Sequence, residues 1–242
     1  MKDIMSGHPD KFTETQHQDV TPAIDPSKVA LSPGFTVCVV GASRGIGASI
    51  AYAYAQAGAS TVILAARSAD ALETVAAKCR EIQPKVVVHC VTCDITSDES
   101  VAALARRVKD IGRRLDVVVV NSGFAGTVTL KVTDGDPANW KKALEVNTLG
   151  TYHAAHHLLP ILLEFDGAKS FLVVSSAAVA ITEGIIANPQ YTISKLAQLR
   201  LVEMVAKQYA SQGLLIVGIH PGAVMTEMSM GAPEEFKQCK EP

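Results

Sequence analysis

A buried strand, a glycine-rich turn and a helix follow one another early in the chain, and this succession constrains the fold more than any other feature. Residues Thr36–Val40 form a short β-branched run that predicts a buried strand. Gly41, Gly45 and Gly47 follow it, and the alanine-rich stretch 48–57 predicts a helix. In such a turn the glycines allow a tight reversal, a close approach to a pyrophosphate, and close helix–strand packing. The spacing is G-x-x-x-G-x-G, and the alternative is a glycine-rich turn that binds nothing.

The rest of the chain continues to alternate strands with helices. Apolar runs predict five further strands, at 61–65, 86–91, 117–120, 171–174 and 214–219. Helices are predicted from Ser68 to Pro84, from a Thr96–Glu99 capping box to Gly112, from Asp136 to the low 160s with a bend at Pro160, and from Gln190 to about Ser211. This alternation predicts an α/β fold, a Rossmann-like doubly wound parallel sheet with helices on both faces.

The length of 242 residues suits one such domain, which we place at 34–242. Residues 1–33 are polar and proline-containing, and we predict a flexible N-terminal extension there. The net charge of −2 gives no reason to expect nucleic acid or an anionic membrane as a partner. No apolar run has the length of a membrane span, and 1–19 lacks a signal core. Five scattered cysteines fit a reducing compartment, so we predict a cytoplasmic protein.

Two groups of metal-ligand residue types are present, and we predict no metal site at either. Cys90 and Cys93 have C-x-x-C spacing without a second pair, so a redox or metal role is the weaker interpretation. His153, His156 and His157 share one predicted helix, where surface or interface histidines are the more common case.

Tyr191 and Lys195 are the most informative chemical pair. Residues at i and i+4 lie on one face of a helix. An ammonium group near a phenol lowers the pKa of the phenol, so Tyr191 could exchange a proton near neutral pH. The alternative is an ordinary surface pair, because Y-x-x-x-K is frequent by chance.

Together these pieces resemble the short-chain dehydrogenase/reductase family, in the family's order from Thr36 to Thr226. The matching pieces are Gly41–Gly47, Asp94, Asn121–Gly123, Asn147, Ser175–Ser176, Tyr191 with Lys195, and Pro221–Gly222 with Thr226. The resemblance implies a nicotinamide cofactor and a small carbonyl or alcohol substrate. Tyr191 would be the general acid or base, and Ser176, rather than Ser175, would bind the substrate carbonyl. Lys195 would hold the nicotinamide ribose, and Asn147 would support a water that links Lys195 to solvent.

The resemblance also implies which residues bind the cofactor. They are Gly41, Ser43, Arg44, Gly45, Ile46, Gly47, Arg67, Asp94, Asn121, Ser122, Gly123, Tyr191, Lys195, Pro221, Gly222, Val224 and Thr226. Ala66 stands where an acidic residue would select NAD, and Arg67 follows it. Two arginines, Arg44 and Arg67, favour the 2′-phosphate of NADPH, whereas the alternative is two solvated surface arginines.

Three departures from the family pattern carry expectations. Val40 replaces a usual threonine, which removes one supporting hydrogen bond. Ser176 precedes Tyr191 by about two residues more than usual, so a bulge over 181–189 is expected to line the substrate pocket and to put the role of Ser176 in doubt. The usual seventh strand is not found after Gly222, which predicts an uncovered strand at 214–219, and with it marginal stability, association and weak activity unless a partner covers that edge.

The sequence therefore predicts an NADPH-dependent carbonyl reductase, in specialised metabolism by analogy. We expect a homodimer or homotetramer formed through the helices that carry Asn147 and Tyr191. The competing interpretation is a cofactor-binding protein with little or no turnover.

Overall fold

Six parallel strands form one sheet in the order β3-β2-β1-β4-β5-β6. The computed structural model describes residues 20–112, 114–165, 167–184, 187–222 and 224–227. The strands are β1 Thr36–Val40, β2 Thr61–Ala66, β3 Val87–Thr92, β4 Val117–Val120, β5 Ser170–Val174 and β6 Leu215–Ile219. The predicted Rossmann-like sheet of six strands is confirmed, with strand ends shifted by one residue at most.

Helices connect the strands and cover both faces of the sheet. They are α1 Gly45–Gln56, α2 Ala69–Ile82, α3 Asp98–Ile111, α4 Pro137–Ala143, α5 Gly150–Glu164 and α6 Pro189–Tyr209. Ser68 caps α2 and Asp136 caps α4 through their side-chain oxygens, as predicted. The cap of α3 is Ser97 rather than Thr96, since the Ser97 hydroxyl accepts from the Ser100 N–H.

The central strands are apolar at every position because both of their faces are buried. In β1, Val37 and Val39 pack against the cluster on one face of the sheet. Cys38 and Val40 pack against the cluster on the other face. This side-chain alternation across a two-sided core explains why a continuous apolar run, rather than an alternating one, marks these strands.

A π-helical segment, Leu144–Leu149, joins α4 to α5 and corrects the predicted uninterrupted helix. Its wider turn is seen in the hydrogen bond from the Gly150 N–H to the Glu145 carbonyl, which spans five residues. Pro160 lies within α5, which continues to Glu164. The π segment therefore places Asn147, which is 0% exposed, on a locally widened helix.

Residues 1–19 of the predicted extension lie outside the described residues, but its final residues make hydrogen bonds to the domain. The Leu31 N–H donates to the Ala57 carbonyl at 3.1 Å. Arg114 donates to the Pro33 carbonyl and to both carboxylate oxygens of the buried Asp116. The domain boundary between residues 33 and 34 therefore remains a prediction. Residues just before it still make hydrogen bonds to the domain.

The carboxyl ends of β1 and β4 meet at the centre of the sheet, where the strand order changes direction. A crevice forms there in doubly wound sheets, because the connections leave β1 and β4 toward opposite faces. Among the helices of the described residues, none combines the length and the apolar character that a membrane crossing requires.

Candidate active site

The glycine turn packs against the end of β4 at the base of a cleft. Gly41 has φ +89°, and a Cβ atom there would lie 2.5 Å from the Ser122 backbone nitrogen. A Cβ atom on Gly47 would collide with the Gly41 carbonyl oxygen. The Asn121 side chain donates to that same carbonyl at 2.9 Å. These close approaches require glycine at both positions.

Most of the predicted cofactor residues line this one cleft of about 1020 Å³. The predicted residues in its wall are Gly41, Ser43, Arg44, Gly45, Ile46, Arg67, Asp94, Asn121, Ser122, Gly123, Tyr191, Lys195, Pro221 and Thr226. Gly47 lies beneath the turn, while Gly222 and Val224 are exposed nearby in the chain and outside the lining. The topology therefore brings together residues that are far apart in the sequence.

Charged groups surround the end of the cleft next to β2 and β3. Arg67 directly follows β2, and Asp94 lies two residues after β3. Burial raises the pKa of the Asp94 carboxyl group. The hydrogen bonds from Thr96 and the charges of Arg67 and Lys142 outweigh this effect and hold the pKa below its usual value. Asp94 is therefore an ionised acceptor beside two cations.

Lys142 is a cleft residue that no sequence motif indicates. Its Nζ atom lies 4.7 Å from the centroid of the Phe124 ring, within cation–π distance. Phe124 and Val146 also line the cleft, as do Ile95 and Thr96 after β3. Their position just beyond the strand ends could have indicated Ile95, Thr96 and Phe124. No pattern in the helix sequence distinguishes Lys142 from a solvated lysine.

Arg44 forms an ion pair with Glu227 across the mouth of the cleft. The Arg44 Nε and Glu227 Oε2 atoms are 3.2 Å apart, and both side chains are more than half exposed. Thr226 approaches the turn as well, because a Cβ atom on Gly45 would lie 3.3 Å from its Cγ2 atom. The segment after β6 therefore reaches over the glycine turn, held there by a pair that is weak because water screens it.

Tyr191 lines the cleft, and Ser176, which is not among the lining residues, lies close enough to affect the pKa of its phenol. Burial raises the pKa of the Tyr191 phenol, and the hydrogen bond with Ser176 lowers it by a smaller amount. The net pKa is above the ordinary value, so the phenol holds its proton at neutral pH. This corrects the expectation that Lys195 lowers the pKa of Tyr191, since burial dominates in the structure.

The longer spacing between Ser176 and Tyr191 does not separate them. Residues Ala177–Ala180 form a short 3₁₀ helix, and the Ser176 hydroxyl accepts from the Ala178 N–H at 3.2 Å. This turn takes up chain length directly after Ser176. The described residues of 181–189 are not among those that line this cleft, and 185–186 lie outside the described residues, so the expectation that this segment lines the substrate pocket stays a prediction.

Lys195 is 3% exposed, and two groups outside Tyr191 accept hydrogen bonds from its ammonium group. Its Nζ atom donates to the Val174 carbonyl at 2.8 Å and to the Gln198 side-chain oxygen at 3.1 Å. It lies 6.0 Å from the centroid of the Tyr191 ring. Burial lowers the pKa of Lys195 from 10.5 to about 7.

Asn147 lies behind the cleft and connects three elements. Its Oδ1 atom accepts from the Phe124 N–H, and its Nδ2 atom donates to the Phe124 carbonyl, each at 2.8 Å. Nδ2 also donates to the Ser194 hydroxyl on α6 at 2.8 Å. All three side-chain bonds are therefore made to protein groups, and they fix the loop after β4 against α6.

Ser175 contributes a buried hydroxyl to the wall of the cleft. Its Oγ atom has no hydrogen-bond partner among the described residues, although the residue is only 7% exposed. Together with the N–H groups at the start of α1 and two cationic side chains, Arg44 and Arg67, it suits a ligand that carries phosphates and hydroxyls. These residues thus fit a phosphate-bearing dinucleotide.

The other candidate ligand groups have ordinary partners. A nitrogen of His157 lies 2.8 Å from the Asp98 carboxylate, and His153 lies 3.0 Å from the Ile95 carbonyl. Burial raises the pKa of Cys90 and Cys93 to about 11, so both are thiols at neutral pH. In the described ranges no group of three or more such side chains is arranged to hold a metal ion.

Comparisons with known proteins agree with this geometry. The sequence profile of the short chain dehydrogenase family matches residues 35–236. The chain is 40% identical over 225 residues to the short chain dehydrogenase citE of Monascus ruber, covering 91% of this chain and 75% of that protein. It is 35% identical over 230 residues to the short chain dehydrogenase pgmD of Aspergillus terreus, covering 91% and 74%.

Solved structures show the same fold. The NADP complex of RhlG from Pseudomonas aeruginosa superposes with a TM-score of 0.71 at 27% identity, covering 85% of this chain and 77% of that one. Members of this family are oxidoreductases that bind a nicotinamide cofactor. The family profile spans the glycine turn, the cleft and the Tyr191–Lys195 helix alike, and this chain belongs to the short chain dehydrogenase family.

Proposed function

We propose that this protein is an NADPH-dependent reductase of ketones or aldehydes. The observation that carries the proposal is that Tyr191 and the buried Lys195 line the same cleft as the glycine turn, with Ser176 close enough to affect the pKa of the Tyr191 phenol. A protonated phenol is the state that a general acid needs in the reductive direction. The raised pKa of Tyr191 therefore favours reduction over oxidation near neutral pH.

In this proposal the nicotinamide, when bound, supplies the hydride to the carbonyl carbon. Tyr191 donates its phenolic proton to the carbonyl oxygen, which becomes the alcohol. Ser176 binds the same oxygen and opposes the charge that develops on it. Lys195 stabilises the phenolate that remains, and its third N–H is available for the cofactor ribose because the other two are engaged.

The cofactor choice is argued from charge. Ala66 ends β2 and Arg67 follows, so no carboxylate occupies the position that would bind a ribose diol. Arg44 and Arg67 offer guanidinium donors to a 2′-phosphate. The complex of RhlG with NADP is consistent with NADPH.

The experiment compares Tyr191→Phe with Tyr209→Phe, a tyrosine replacement on the same helix. We expect Tyr191→Phe to bind NADPH as the unmodified protein does and to reduce a panel of ketones roughly 10²–10⁴-fold more slowly. Tyr209→Phe should keep both properties. NADPH binding is followed by fluorescence titration and turnover by NADPH absorbance.

Near-full turnover by Tyr191→Phe would refute the assignment of the acid. NADPH binding without turnover of any ketone or aldehyde by the unmodified protein would favour the alternative, a cofactor-binding protein without activity. The substrate and a place in specialised metabolism are proposals that rest on the sequence resemblance, and a cytoplasmic location is a proposal that rests on the scattered cysteines.

A further inference from the structure

Gln198 is a buried polar residue one helical turn after Lys195. It is 0% exposed, at a position of α6 that faces the core. Its Nε2 atom donates to the Asn147 carbonyl at 2.9 Å and to the Thr151 hydroxyl at 2.8 Å. Its Oε1 atom accepts from Lys195 Nζ at 3.1 Å. The amide of Gln198 therefore bridges the ammonium group of Lys195 and the helical residues Asn147 and Thr151.

The chemistry of the partners fixes the orientation of the amide. The Asn147 carbonyl can only accept, and the Thr151 hydroxyl already donates to that carbonyl at 2.8 Å. Both must therefore face the NH₂ group of Gln198, which leaves its oxygen toward the ammonium group of Lys195. The widened turn at 144–149 presents the Asn147 carbonyl toward α6, so the π segment is part of the arrangement.

We propose that Gln198 is a positioning residue that holds the Lys195 ammonium group and sets the pH range in which it stays charged. The inference rests on the proposed function, because it concerns the lysine of that site. The amide connects Lys195 to the carbonyl of Asn147, the residue that the family resemblance expects to support a water between Lys195 and solvent. The amide oxygen accepts but has no proton to pass on, so this link orients Lys195 and does not conduct protons.

The alternative is that Gln198 only fills the core between α5 and α6. A methionine has nearly the same volume and no hydrogen bond, so Gln198→Met separates packing from the amide contact. After this change the Asn147 carbonyl and the Thr151 hydroxyl still bond to each other, so neither is left without a partner. Lys195 alone loses an acceptor and keeps the Val174 carbonyl.

Gln198→Met and Gln198→Glu should move the titration of Lys195 in opposite directions. Loss of the acceptor destabilises the ammonium group, and we expect the pKa of Lys195 to fall by about one unit in Gln198→Met. A carboxylate at the same place stabilises it and raises the pKa by a similar amount or more. The titration is measured by carbon NMR of the lysine Cε atoms, with the Lys195 signal assigned from Lys195→Met.

The NMR measurement needs no substrate, so its result stands even where no ketone is reduced. Where a ketone is reduced with NADPH, kcat should fall at high pH as Lys195 loses its proton. The pH of that fall should then move down in Gln198→Met and up in Gln198→Glu, with KM for the ketone little changed. Thr151→Val, which removes one anchor of the amide, should give a smaller downward shift.

Unchanged titration of Lys195 in folded Gln198→Met would overturn the proposal, as would shifts of the same sign in the methionine and glutamate variants. If Gln198→Met does not fold, Gln198→Glu and Thr151→Val still test the predicted opposite signs. Loss of ketone reduction in the unmodified protein, with opposite shifts retained in the NMR titration, would reject the proposed function and leave the Gln198 contact in place.

Discussion

Arg67 is the residue whose position best separates the two nicotinamide cofactors. It follows β2 directly and lines the cleft, and its positive charge contributes to the lowered pKa of the Asp94 carboxyl group. Only NADPH carries a 2′-phosphate for its guanidinium group. We expect Arg67→Ala to weaken NADPH binding roughly tenfold or more and NADH binding far less. Calorimetric titration with both cofactors measures the difference.

Arg106→Ala is the matched control for this prediction, because Arg106 is an exposed arginine on α3 that does not line the cleft. It should leave both affinities unchanged. Equal losses for NADPH and NADH in Arg67→Ala would mean that Arg67 is structural. Tighter binding of NADH than NADPH by the unmodified protein would contradict the proposed cofactor.

Lys195 makes the stability of the fold depend on pH. Its pKa is about 7 in the folded protein and near 10.5 when exposed, so the unfolded chain holds an additional proton between these values. The free energy of unfolding therefore gains a contribution that rises with pH, by at most about 1.4 kcal/mol per pH unit. Relative to Lys195→Met, the unmodified protein should become more stable from about pH 7 to pH 9.5.

Urea unfolding of both proteins across this range tests the prediction. The control is Lys207→Met, an exposed lysine on the same helix, whose difference from the unmodified protein should stay constant with pH. A constant difference for Lys195→Met as well would show that Lys195 keeps an ordinary pKa in the folded state.

At the scale of elements, Asn147 joins the π segment, the loop after β4 and α6. Three side-chain hydrogen bonds of 2.8 Å, two to Phe124 and one to Ser194, converge on a residue that is 0% exposed. Asn147→Ala leaves the partly buried N–H and carbonyl of Phe124 without these partners. We expect it to lower the free energy of unfolding by about 2–4 kcal/mol.

Gln208→Ala removes an exposed amide from α6 and should cost less than about 0.5 kcal/mol. Hydrogen exchange at Phe124 gives a second measurement, because the Phe124 N–H donates to Asn147 Oδ1. If Asn147→Ala kept both the stability and the slow exchange of Phe124, Asn147 would not be the connection between these elements.

The central strands were predictable because each one is a short apolar run whose two faces both meet a core, as Val37 and Val39 on one face and Cys38 on the other show. The glycine turn was predictable for a related reason. The close approaches at Gly41 and Gly47 leave no room for a side chain, so the packing requires glycine at these two positions and the glycine spacing predicts the turn.

Other features depend on contacts that local sequence does not encode. The π segment arises where Asn147 must reach both Phe124 and Ser194, residues distant in the chain. The direction of the Lys195 ammonium group is set by the Val174 carbonyl and by Gln198, and neither the spacing from Tyr191 nor helical periodicity predicts it. The raised pKa of Tyr191 likewise follows from tertiary burial.

At the scale of the whole molecule, two apolar surfaces could bring copies of the chain together. One is a face of α6 on which Ile193, Leu196 and Met204 are each about half exposed. The other is the edge of the sheet at β6, where Leu215 and Ile219 are 53% and 44% exposed. Within the described ranges β6 pairs with β5 alone, so its outer backbone groups are open to another strand.

We expect the helix face to form the specific homo-oligomer and the strand edge to cause association without a defined size. A helix face buries apolar side chains in a closed pair, whereas an open edge pairs strand upon strand. Leu196→Glu should therefore convert a discrete oligomer into monomer in sedimentation velocity. Leu215→Lys should remove larger species and leave the discrete oligomer intact.

The matched control is Val132→Lys, which places a charge on a residue that is 67% exposed in the loop between β4 and α4. It should change neither the discrete oligomer nor the larger species, since it lies outside both surfaces.

A discrete oligomer that survives Leu196→Glu but dissociates in Leu215→Lys would reverse the assignment and make the sheet edge the specific interface. A monodisperse monomer in every variant and in the unmodified protein would refute both.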